Sequence, residues 1–60
     1  MTVYIEVMHH TGPSTTYEAP DLTHEAAVEQ VAAGGFLTFK NKRGHLISIN
    51  PRYIKIIRSG

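Results

Sequence analysis

Cysteine is absent from this 60-residue chain, and its absence removes the usual staple of small folds. A chain of this length buries only about 60% of its unfolded surface on folding, so its core is marginal without help. With disulfides excluded, stability has to come from well-fitted aliphatic packing, an imidazole metal site or self-association. The lack of thiols is also compatible with a reducing compartment. Long apolar runs are missing as well. The start, Met1-Thr2-Val3-Tyr4-Ile5-Glu6-Val7, has no basic segment leading into an apolar one. Neither a signal peptide nor a membrane span is therefore expected, and a cytoplasmic protein with no membrane partner is the default. No repeat, linker or low-complexity stretch interrupts the chain, which reads as one domain over residues 1–60.

Catalytic signatures are lacking too. Ser14, Ser48 and Ser59 sit outside any nucleophile-elbow context, no glycine-rich phosphate loop is present, and Gly34-Gly35 follows a helix rather than opening one. The expectation is a protein that is not an enzyme and needs no cofactor.

What is present is a segregated charge. The net value is only +1, yet every acid (Glu6, Glu18, Asp21, Glu25, Glu29) precedes every base (Lys40, Lys42, Arg43, Arg52, Lys55, Arg58). Such asymmetry produces a one-sided electrostatic footprint provided the fold keeps the two halves apart.

The hydrophobic pattern supplies the elements. Residues 3–8 alternate, with Val3, Ile5 and Val7 on one face. A Gly12-Pro13 loop and a second, weaker strand over 15–19 complete a hairpin that Pro20 ends. Thr23 is the N-cap of a helix running to Ala33, with Glu25 in its first turn and Gly34 available for the left-handed position beyond its end. Its apolar stripe is Ala27, Val28, Val31 and Ala32, opposite Glu25, Glu29 and Gln30. Strands over 36–40 and 45–50 flank Asn41-Lys42-Arg43-Gly44, whose composition suits a type I turn closed by glycine, with Lys42 and Arg43 at the tip. After the Asn50-Pro51 bend, a last strand carries Ile54 and Ile56 on one face and Lys55 on the other. The order ββαβββ predicts an α+β fold: a small five-stranded antiparallel sheet or an SH3-like partial barrel with one helix.

His9, His10, His24 and His45 have no ligand-motif spacing and read as exposed polar residues, so no metal is expected. The basic set carries more. Lys40, Lys42, Arg43, Arg52, Lys55 and Arg58 can neutralise phosphates if they share one surface, with Tyr53 or Phe36 as a stacking face for an unpaired base. The same residues also fit solvated strand edges that resist edge-to-edge aggregation. A homo-oligomer is the other expectation, formed by acidic and basic sides meeting or by strand addition at a free edge, after Ile57 or along residues 3–8. A protein partner can use the same edges. Where the first and last strands pair decides the matter, because Glu6 or Glu18 set beside Lys55 or Arg58 would cancel the patch.

The run Gly44-His45-Leu46-Ile47-Ser48-Ile49-Asn50-Pro51-Arg52-Tyr53-Ile54-Lys55-Ile56-Ile57 resembles small bacterial and phage proteins with a hydrophobic-Asn-Pro-x-x-Ile segment, including the flagellar FlbD (SwrD) family. In that family this segment comes first and a hairpin with a helix follows, so the chain resembles the same pieces in permuted order. The resemblance implies a small accessory or regulatory protein, with no catalytic residues to carry over.

Overall fold

Alternation in the first segment makes β1 (Val3–Val7), with Val3, Ile5 and Val7 buried and Tyr4 and Glu6 half-buried. A computed structural model describes residues 2–60, and Met1 lies outside the described residues. The expected hairpin partner is β2 (Thr15–Ala19), antiparallel with Val3 opposite Ala19 and Ile5 opposite Tyr17. On the other side of β1 runs β5 (Ile54–Ser59), giving a three-stranded sheet in the order β2-β1-β5.

The helix α1 spans His24–Ala32. Thr23 takes an extended backbone, and its hydroxyl accepts the Ala26 N–H at 3.1 Å, a bond that stabilises a helix start by about 1 kcal/mol. Ala33 is the C-cap, and Gly34 follows at φ +83°, where a side chain would be strained. Only Ala27 of the expected stripe is fully buried; Val31 is half-buried, and Val28 is 46% exposed. Gln30 departs from its expected polar-face role. Its side-chain amide accepts the Thr38 N–H at 2.9 Å and donates to the Thr38 carbonyl at 3.3 Å.

Thr38 belongs to β3 (Leu37–Lys40), which pairs with β4 (Leu46–Ile49) as a separate two-stranded sheet. The coarse α+β class and the order ββαβββ hold. A single five-stranded sheet or SH3-like partial barrel does not form, because the strands divide three and two and the sheets do not close. The physical reason is the Asn50-Pro51 bend. Asn50 caps a 3-10 turn over Pro51–Tyr53 by accepting the Arg52 N–H at 3.0 Å, and Met8 donates to the Tyr53 carbonyl at 2.8 Å. The turn is thereby pinned to the end of β1, so β5 starts beside β1 rather than beside β4.

Inside, the two sheets and α1 share one cluster of Val3, Ile5, Val7, Ala19, Ala27, Leu37, Phe39 and Ile49. Tyr17 and Phe39 meet edge to face across the sheets with centroids 6.2 Å apart. The face assignment in β5 also changes. Val7 is opposite Ile54 and Glu6 is opposite Ile56, so Lys55 is an inserted bulge residue. The bulge puts Ile54 and Ile57 toward the core and leaves Ile56 exposed, where plain alternation predicts Ile54 and Ile56 together.

Candidate nucleic-acid interface

The β3–β4 tip is built by one asparagine. The Asn41 side-chain oxygen accepts the N–H groups of Arg43 and His45, both at 2.9 Å, and its backbone carbonyl accepts the Gly44 N–H at 3.0 Å. Gly44 closes the turn at φ +82°, a conformation that glycine adopts without strain. Lys42 and Arg43 are consequently held at an exposed tip, as the sequence predicts.

That tip stands over β2. Thr16, Tyr17 and Glu18 of β2 and Asn41, Lys42, Arg43 and His45 of the tip line an open cleft of about 290 Å³. Lys42 Nζ is 3.7 Å from Glu18 Oε2 across it. The pair is largely exposed, a setting in which ion pairs contribute little and leave the lysine able to exchange partners. Arg43 has no acidic partner among the described residues.

The remaining bases are placed apart from the tip. Lys55 Nζ lies 3.8 Å from Glu6 Oε2, and Glu6 also accepts from the Ser14 hydroxyl at 2.6 Å. Arg58 stacks over the Tyr4 ring at 4.9 Å from its centroid. Because Tyr4 is opposite Glu18 on one side and Arg58 on the other, the outer face carries a row from Lys42 through Glu18 and Tyr4 to Arg58. About 10 Å, two inter-strand spacings, separates β2 from β5 along that row. Lys40 projects from the exposed face of the hairpin beside Leu46. Arg52 lies on the 3-10 turn, where Tyr53 meets the His10 ring with centroids 6.0 Å apart. The six bases therefore do not form one stripe. Acids from β1 and β2 sit between them.

All four histidines are exposed. The His9 Nε2 lies 2.6 Å from the Thr15 hydroxyl, and among the described residues no group of three or more His, Asp or Glu side chains converges as a metal site would require. No described helix is long and apolar enough to cross a membrane. Sequence reasoning missed Tyr4, Tyr17 and His45 as neighbours of the basic residues. Asn41 two residues before Arg43 and three before Gly44 is the one local signal that marks His45, since the turn it builds brings His45 back beside Asn41. Comparison of the chain with protein-family models, with curated proteins and with solved structures finds no match.

Proposed function

We propose that this chain is a small non-enzymatic binding module, acting in the cytoplasm, whose β3–β4 tip contacts the phosphate backbone of nucleic acid. The observation that carries the reading is the tip itself: Lys42 and Arg43 on a turn rigidified by Asn41, at the mouth of a cleft that also holds His45 and Tyr17. Lysine and arginine on a fixed turn neutralise phosphates with little ordering loss. Lys40 lies on the exposed face of the same hairpin, while Arg52 and Tyr53 on the 3-10 turn and Lys55 and Arg58 on β5 lie on the other side of β1 from β2. An accessory or regulatory role agrees with the resemblance of residues 44–57 to the flagellar FlbD family.

The test is fluorescence anisotropy of a labelled single-stranded oligonucleotide. Affinity should fall steeply with salt, and Lys42→Glu with Arg43→Glu should weaken binding about tenfold or more. Unaltered binding by the double variant would sink the reading. A second reading, an adaptor that acts by self-association, is favoured by one observation: among the described residues, the outer edge of β4 makes no backbone hydrogen bond to another element.

A further inference from the structure

We propose that the free edge of β4 is the surface through which two copies of this chain pair, antiparallel and about a two-fold axis at Ile47. This deepens the self-association reading and rests on it.

Each strand edge in the molecule is differently defended. β3 is closed at its middle by the Gln30 amide, which occupies both the N–H and the C=O of Thr38. β2 carries Glu18, is followed by Pro20 and is flanked by the β3–β4 tip. β5 carries the Lys55 bulge and Arg58 and packs against α1. Bulges, charges, proline and covering elements are the devices by which natural sheets avoid unwanted pairing. β4, Leu-Ile-Ser-Ile, holds no charge, proline or bulge within the strand, and Pro51 comes only after Asn50, beyond its end.

The register points to a second copy rather than a foreign strand. Because the Thr38 N–H and C=O turn away from β4 to Gln30, Thr38 and its partner Ser48 form a non-hydrogen-bonded pair, and the hydroxyls of the two lie 3.0 Å apart. The backbone groups of Ser48, and by alternation of Leu46, therefore point out of the hairpin at the open edge. In an antiparallel pair centred on Ile47, Leu46 of one copy faces Ser48 of the other and both exchange N–H and C=O bonds, so the edge satisfies itself twice. On the core side, Phe39 and Ile47, neighbours in the hairpin, would continue into Ile47 and Phe39 of the second copy as one apolar row. On the outer side, each Lys40, opposite Leu46, falls at a different end of the four-stranded sheet, so no like charges oppose each other.

Pairing through one short strand buries less than the roughly 1,600 Å² of a standard interface, which sets the dimer in a weak, concentration-dependent range. Sedimentation velocity on the full chain without nucleic acid, from about 5 µM to about 1 mM, should show the mass rising from 6.7 kDa toward twice that value. Ser48→Pro removes an outward N–H at an edge position where proline is tolerated, and Leu46→Glu charges a side chain that is 69% exposed. Each should weaken the dimer at least about tenfold while circular dichroism and melting stay near wild type. If either variant unfolds, amide exchange of the wild type decides, since Leu46 and Ser48 must gain protection as concentration rises. A dimer that survives both substitutions overturns the β4 assignment and leaves self-association standing. A chain that stays monomeric throughout, including one that binds a foreign strand instead, overturns both.

Discussion

The outer face of the three-stranded sheet and the β3–β4 hairpin carry bases of the same kind under opposite conditions. On the sheet, Lys55 faces Glu6 and Arg58 lies over Tyr4, so each base has a neighbour within its own layer. On the hairpin, Arg43 and Lys40 have no acid beside them among the described residues, and Lys42 shares Glu18 with solvent. Charge segregated along the sequence is thus re-mixed in the sheet and preserved on the hairpin at Lys40 and Arg43 only. The controlling fact is topological. β5 returns to β1 beside Glu6, whereas the tip stands over β2, where Glu18 meets Lys42 and leaves Arg43 without an acid among the described residues.

The largest effects test whether these two regions are halves of one cooperative unit. Ile5 in the sheet and Leu37 in the hairpin are both fully buried in a common cluster, so Ile5→Ala and Leu37→Ala should each destabilise by about 2–5 kcal/mol. Both should lower the same single transition in thermal melts followed by circular dichroism. A hairpin that melts separately in the Leu37 variant would break the comparison. Next in size, Gln30→Ala strips the Thr38 N–H and C=O of their partners, at about 1–2 kcal/mol for two part-buried hydrogen bonds. Light scattering on heating should rise in that variant, because β3 then presents a second open edge. The smallest effect sharpens the electrostatic contrast: Glu18→Gln should change stability by less than about 1 kcal/mol, since the pair is exposed. It should nonetheless tighten oligonucleotide binding in the anisotropy assay by releasing Lys42. Equal or weaker binding would mean that Glu18 does not restrain the tip.

How much of this was legible in the sequence follows the range of the interaction. Thr23, Gly34, Gly44, Asn41 and Asn50-Pro51 act on backbone groups a few residues away, and each forms the cap or turn its chemistry implies. Strand partnership is not local. The chain has several short alternating strands whose faces look alike, and nothing near Ile54 announces that β1 will be its partner. The Lys55 bulge compounds this, because Ile56 and Ile57 both satisfy the pattern and only the register with Glu6 and Ile5 sorts them. The tip was readable for the same reason the caps were. Of the two ion pairs, Glu6 beside Lys55 was among the pairings the sequence named as dependent on how the first and last strands meet, whereas Glu18 beside Lys42 was not, because it joins two sheets whose relation no local signal sets.

Gln30 has a consequence for stoichiometry. By closing the middle of β3 with a side-chain amide, it leaves the hairpin with a valence of one. A hairpin open on both sides can add copies without limit and grow as a fibre, whereas one open on a single side can only form a closed pair. A single helix glutamine thus draws the line between a finite assembly and an endless one.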